Sequence, residues 1–97
     1  QEIPQECEQN AHMFYIKCKD LQERTALIAY LKENKIMAPF HYVPLHSAPA
    51  GYKYGRFSGE DIYTTRESER LVRMPLYYGI TDTDVDSVIK TVEKFYE

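Results

Sequence analysis

Residues 12–34 read HMFYIKCKDLQERTALIAYLKEN, and their pattern indicates the first two elements of the fold. Its first eight residues alternate in polarity, so Phe14, Ile16 and Cys18 share one face of an extended segment. That alternation is typical of a strand with one buried side. Apolar residues then recur at helical spacing as far as Leu31, which indicates one apolar helical stripe. The stretch therefore predicts a strand followed by an amphipathic helix.

Short sequence signals predict where the helices begin and end. Asp20 is the predicted N-cap of the first helix, and Glu23 is predicted to complete a capping box by accepting the N–H of Asp20. Asn34 is predicted to end the helix in a left-handed conformation. A second capping box is predicted from Thr64 and Glu67, at the start of a short helix.

The rest of the chain supplies two further strands and one clear helix. Residues 35–42 (KIMAPFHY) and 71–76 (LVRMPL) are short apolar runs, and Pro39, which lacks an N–H, restricts the first run to a sheet edge or ends it early. Residues 81–97 show apolar positions at steps of three and four after a Thr81 cap. These elements predict an α+β fold, with a small, mainly antiparallel three-stranded sheet and helices on one face.

Composition excludes several classes of protein. A chain of 97 residues is one domain, and its net charge of −3 with scattered lysines and arginines argues against a nucleic-acid partner. No apolar run approaches the roughly 20 residues that cross a bilayer, so no membrane segment is expected. Cys7 and Cys18 form no CxxC pattern, and two free thiols in a reducing, cytoplasmic compartment are expected.

A long segment in the middle of the chain carries the candidate functional residues. We call residues 40–63, FHYVPLHSAPAGYKYGRFSGEDIY, the central loop; it holds two of the three histidines and three of the four glycines. It has neither helical nor strand periodicity, so an irregular loop is predicted. His41 and His46 would need further ligands to hold a metal, and no recognisable spacing supplies them, so no metal site is predicted.

The same segment offers two interpretations. The side chains of His41, Tyr42, His46 and Tyr52 could hydrogen-bond or stack on a bound ligand. They could equally anchor the loop to its own domain. The chain contains no nucleophile motif, Walker loop or dinucleotide fingerprint, so no catalytic residue is predicted.

Long parts of the chain resemble the nucleotide-sugar aminotransferases of the DegT/DnrJ/EryC1/StrS family. The resemblance runs from about Asn10 to Phe95 and is strongest in residues 16–55 and 70–89. Its specific motif is HYxPLHxxP, which begins at His41. One departure is Lys35, which follows Asn34 where the family often has a glycine after the first helix; Asn34 is expected to take over that turn.

The resemblance implies a fold-type-I enzyme that uses pyridoxal phosphate (PLP). Residues 12–97 would be its C-terminal small domain, and residues 1–11, which begin without an initiator methionine, a linker from a missing large domain. The lysine that binds PLP is expected upstream, because no lysine of this chain lies in a matching motif. The isolated chain is therefore expected to bind no PLP and to be inactive.

The resemblance also implies a substrate and a role for the central loop. The parent enzyme, expected to be a homodimer, would transfer an amino group from glutamate to the C4 carbonyl of dTDP-4-oxo-6-deoxyglucose. The loop residues His41, Tyr42, His46 and Tyr52 would then face the nucleotide sugar. Two alternatives stay open: a stand-alone ferredoxin-like binding or regulatory module, and a protein-interaction module.

Overall fold

The computed structural model describes residues 2–97, which form a mixed α/β domain of two strands and four helices. The strands pair antiparallel, and a one-turn 3-10 helix, Leu45–Ser47, lies in the central loop. In chain order the elements are β1 (Tyr15–Lys17), α1 (Leu21–Glu33), α2 (Pro49–Tyr54), α3 (Thr64–Arg70), β2 (Leu71–Arg73) and α4 (Asp82–Tyr96).

The prediction of a three-stranded sheet is wrong. β1 pairs with β2, with Ile16 opposite Val72, and the predicted strand at 35–42 contributes only an isolated bridge from Phe40 to Val72. Pro39 is the physical reason, because it has no N–H to donate and can offer only its carbonyl oxygen, which accepts the N–H of Arg73. The run thus lies at the sheet edge, as its proline suggested, but does not extend into a strand.

The core lies between the strand pair and α1. Leu27 and Leu31 of α1 are completely buried, together with Val72 of β2 and Cys18 just after β1. Val92 and Phe95 of α4 pack against this cluster from the side, as does Ile16 of β1, so α1 and α4 cover the same face of the strand pair. The strand–helix prediction for residues 12–34 is confirmed in its type and order.

The ends of α1 correct two predictions. Asp20 caps the helix by accepting the N–H of Glu23 at 2.9 Å, but the Glu23 carboxylate accepts the N–H of Lys19 and not that of Asp20. At the other end the left-handed residue is Lys35, with φ 63°, whereas Asn34 has φ −86°. Asn34 instead donates its side-chain amide to the carbonyl oxygen of Tyr30.

The turn after α1 is a Schellman motif. The N–H of Ile36 donates to the carbonyl of Leu31 at 2.8 Å, and that of Lys35 donates to Lys32 at 3.0 Å. Ile36 also joins Leu31 in the core, which is the apolar contact that usually accompanies this motif. The motif places the residue before its last, here Lys35, at positive φ whether or not that residue is glycine.

The two later helices begin differently. The capping box predicted at Thr64 is wrong: the N-cap of α3 is Tyr63, which makes no side-chain capping bond. Glu67 pairs with Lys17 and with Arg70 instead of reaching back. The start of α4 carries a complete box, in which Thr81 accepts the N–H of Asp84 and Asp84 accepts the N–H of Thr81.

The two thiols sit in contrasting surroundings. Cys7 is exposed, whereas Cys18 is buried in the core, and both are free. Burial raises the pKa of the Cys18 thiol, and the hydroxyl of Tyr96 lies 3.9 Å from its sulfur. The Cys18 thiol therefore behaves as a small core side chain.

Candidate functional site: the central loop

The central loop contains regular structure, contrary to prediction. Its 3-10 turn, Leu45–Ser47, is followed at once by α2, Pro49–Tyr54. The two turns pack so closely that a Cβ atom on Gly51 would overlap the carbonyl oxygen of Leu45. Glycine is required here because of this close approach. The first part of the loop is therefore a folded unit with a defined shape.

The loop is anchored at its start by contacts from α1. Phe40 bridges to β2, and the guanidinium of Arg24 lies 5.0 Å from the centre of its ring, a cation–π distance. Arg24 also donates to the carbonyl oxygen of Ser68, at 3.3 Å, and so joins α1 to α3. The first residue of the loop is thereby held by both the sheet and a helix.

The end of the loop is anchored by contacts of Asp61 and Thr65 with His46. Nε2 of His46 lies 2.8 Å from Oδ2 of Asp61 and 3.1 Å from Oγ1 of Thr65, which is the second residue of α3. Thr65 also donates its hydroxyl to Asp61. The ring of Phe57 meets the His46 ring edge-on at 4.7 Å. We call His46, Asp61 and Thr65 the loop clamp.

The clamp lowers the pKa of its carboxylate. The pKa of Asp61 lies below its usual range, first because the Thr65 hydroxyl donates to it, and further because the Thr65 backbone N–H and the His46 ring do so. These are hydrogen bonds to the charged form, which favour that form. Asp61 is therefore an anion at neutral pH.

The four predicted site residues do not share one cluster. The rings of His41 and Tyr42 meet edge-on at 4.5 Å. No hydrogen bond or ring contact within residues 2–97 joins this pair to His46 or Tyr52. Tyr52 lies on α2 and is 83% exposed, and Tyr42 is 68% exposed. The structure thus anchors His46 in the loop and leaves both tyrosines available to a ligand or partner.

His41 has an unusual environment. Its Nδ1 is buried and has no hydrogen-bond partner within residues 2–97. A buried polar atom without a partner costs about 1–3 kcal/mol. Such atoms are uncommon, and each calls for a structural or functional reason. His41 therefore stays a candidate site residue.

Sequence reasoning missed the residues that fix the loop. Asp61, Thr65 and Arg24 lie far from the histidine motif in sequence and received no role. The signal for Asp61 was its position four residues before Thr65, at the entry to a short helix, where aspartate commonly accepts backbone N–H groups. The contact between Arg24 and Phe40 left no local sequence signal, because 16 positions separate them.

A second surface feature is an apolar groove between the strand pair and α4. It encloses about 420 Å³. Its lining is almost wholly aliphatic and aromatic and includes no lysine or arginine: Phe14, Ile16, Met74, Pro75, Leu76, Ile80, Val85, Val88, Ile89, Val92 and Glu93. A phosphate group requires cationic or N–H donors. The groove therefore does not fit PLP.

Residues 2–97 contain no group of three or more histidine, cysteine, aspartate or glutamate side chains arranged to hold a metal ion. Within the same residues no helix is both long enough and apolar enough to cross a membrane.

Comparison with known proteins gives a family match along almost the whole chain. The sequence model of the DegT/DnrJ/EryC1/StrS aminotransferase family matches residues 1–93. The chain is also similar to the uncharacterized protein MJ1066 of Methanocaldococcus jannaschii, with 38% identity over 77 residues. That match covers 73% of this chain and 19% of the relative, so the chain spans about a fifth of the relative's length.

Proposed function

This chain belongs to the DegT/DnrJ/EryC1/StrS aminotransferase family, and we propose that it is the C-terminal small domain of a PLP-dependent sugar aminotransferase. Residues 1–11 would link it to a large domain, and residues 12–97 would form one wall of the active site. The observation that carries the proposal is the family match over residues 1–93, which includes the histidine motif of the central loop. It also favours this function over an independent binding or interaction module.

The proposed reaction is amino transfer to a nucleotide sugar. Within the family, the segments around the histidine motif and residues 70–89 resemble dTDP-4-amino-4,6-dideoxygalactose transaminase. The parent would then move an amino group from glutamate to the C4 carbonyl of dTDP-4-oxo-6-deoxyglucose, for enterobacterial common antigen or another surface polysaccharide. PLP, held by the large domain of a homodimer, would carry the amino group between the two substrates.

The proposed role of this chain in that reaction is to bind and orient the sugar nucleotide. The exposed rings of Tyr42 and Tyr52 offer an apolar face and a hydroxyl each. His41 and His46 offer ring nitrogens for sugar hydroxyls or phosphate oxygens. Because both ends of the loop are anchored, these groups are held in place before the substrate arrives, which lowers the entropy cost of binding.

His41→Ala in the full-length enzyme tests the proposal. A hydrogen bond to a charged group contributes roughly 1.5–3 kcal/mol. We therefore expect kcat/KM for the nucleotide sugar to fall by on the order of tenfold to a hundredfold, with PLP binding unchanged. His12→Ala is the matched control, because His12 is an exposed histidine outside the loop whose contacts are with Asn10.

The competing role for His41 is support of its own loop. In that case His41→Ala would lower the free energy of unfolding by about 1 kcal/mol and leave kcat/KM unchanged. Measuring both quantities on one purified variant separates the two roles. A stability loss with unchanged kinetics would remove His41 from the substrate site.

A further inference from the structure

The loop clamp determines which nitrogen of His46 carries a proton. An ionised carboxylate only accepts hydrogen bonds, so Asp61 must receive a proton from each partner. Thr65 has one hydroxyl proton and donates it to Asp61, so toward His46 its oxygen can only accept. Nε2 of His46 faces both oxygens and must therefore be the donor to each.

The other ring nitrogen of His46 is available. Nδ1 makes no hydrogen bond within residues 2–97, and it is not among the buried atoms of those residues that lack a partner. The His46 side chain is 20% exposed, and its Nδ1 is not fully enclosed by the domain. In a neutral imidazole one nitrogen donates and the other accepts, so a proton kept on Nε2 leaves Nδ1 as an acceptor.

We propose that Asp61 and Thr65 are positioning residues that hold His46 with its proton on Nε2, so that Nδ1 accepts a hydrogen bond from a hydroxyl of the bound sugar. The identity of the donor rests on the proposed function; the tautomer rests on the clamp alone. An acceptor at Nδ1 can bind a sugar hydroxyl, because a hydroxyl donates a hydrogen bond. It cannot bind an ionised phosphate oxygen, because that oxygen is itself only an acceptor. His46 would thus contribute to recognition of the sugar part of the substrate.

The first test is spectroscopic and needs no substrate. In the full-length enzyme labelled with ¹⁵N-histidine, the NMR signals of the two His46 ring nitrogens are identified because they disappear in His46→Gln. At a pH of about 8.5, some two units above the usual imidazole value, we expect the pattern of a ring protonated on Nε2. Asp61→Asn should give exchange between tautomers. A ring protonated on Nδ1, or averaged between tautomers in the unsubstituted enzyme, would overturn the proposal.

The second test is a double-mutant cycle on the KM for the nucleotide sugar. Glutamine in place of His46 keeps a donor for Asp61, but its amide oxygen does not occupy the position of Nδ1. His46→Gln should therefore raise KM by severalfold to about tenfold with kcat little changed. Asp61→Asn should raise KM by a smaller factor. The double variant should match His46→Gln alone, because Asp61 acts through His46.

Matched controls separate positioning from general stability. Glu60→Gln removes one neighbouring negative charge that makes no side-chain hydrogen bond or ion pair in residues 2–97, and its KM should not change. Thr65→Val should raise KM and Thr65→Ser should restore it, since serine keeps the hydroxyl. Equal KM for Asp61→Asn and Glu60→Gln, or additive effects in the double variant, would overturn the proposal. If the enzyme transfers no amino group to any nucleotide sugar, the proposed function fails, while the spectrum still decides the tautomer.

Discussion

The two long helices use their apolar residues in opposite ways. Two leucines of α1, Leu27 and Leu31, are fully buried. α4 carries the more regular apolar stripe, yet none of its residues is fully buried, and Val85 and Ile89 are 39% and 48% exposed. A regular stripe therefore shows that a helix has an apolar face, and does not show that the domain itself covers that face.

The difference follows from what surrounds each helix. α1 contacts β2, α3 and α4, so its leucines are enclosed by packed neighbours. The C-terminal half of α4 packs on the core through Val92 and Phe95, whereas Val85 and Ile89 nearer its start line the open groove. The stripe thus has different partners along its length: Val92 borders both the core and the groove, Phe95 packs on the core, and Val85 and Ile89 line the groove.

The largest expected effect separates the two helices directly. Leu27→Ala should lower the free energy of unfolding by about 2–5 kcal/mol, because it leaves a cavity in a fully enclosed site. Ile89→Ala should cost less than about 1 kcal/mol, because half of that side chain is already in water. Urea unfolding of the two variants measures both values. Equal losses would show that the groove is closed in solution.

The start of α4 should depend on its capping box. Thr81→Ala removes the side chain that accepts the N–H of Asp84 and should cost about 0.5–2 kcal/mol. Hydrogen exchange should accelerate most in the first turn of α4, whose side chains are exposed, and not at Val92. Thr83→Ala is the control, since that threonine lies in the same turn without a capping role. A loss at Thr83 as large as that at Thr81 would contradict this view.

Low pH should destabilise the first turn of α4. The pKa of Asp84 lies below its usual value, chiefly because the Thr81 hydroxyl donates to it and also because the Thr81 N–H does. A depressed pKa in the folded state contributes stability above the unfolded value, about 3.9, that is lost as pH falls through the folded pKa. Hydrogen exchange of α4 between pH 6 and 3 measures this effect. It should be weaker in Thr81→Ala, and an unchanged pH dependence there would assign the acid response to other carboxylates.

The smallest effect is a gain at the end of α1. Lys35→Gly should raise the free energy of unfolding by roughly 0.5–1 kcal/mol, because a side chain at positive φ is strained and glycine is not. Asn34→Gly should give no gain, since Asn34 has an ordinary φ and would lose its bond to Tyr30. Thermal unfolding of both variants tests the assignment. A larger gain at Asn34 would place the left-handed residue there after all.

Local patterns correctly predicted the elements whose signals lie within a few residues. The alternation around Ile16, the cap at Asp20 and the cap at Thr81 each depend on neighbours in sequence, and each is found. The errors arose where a short motif had two possible outcomes. Glu67 could have capped α3, but Lys17, 50 positions earlier, offers it an ion pair.

The candidate site shows the same division. The sequence indicated the central loop and its two histidines, because breaker residues and aromatic side chains are concentrated there. It could not indicate that His46 is held by Asp61 and Thr65, since that contact joins residues 15 and 19 positions apart.

Local sequence patterns were enough to give the order of strand and helix, the N-caps of α1 and α4, and the family to which the chain belongs. Those properties depend on side-chain periodicity and on hydrogen bonds between near neighbours. Three other features depend on long-range packing: the third strand is reduced to a bridge at Phe40, α4 leaves part of its stripe open, and His46 presents Nδ1. Each of these depends on contacts between residues that are far apart in the sequence, and local patterns carry no information about such contacts.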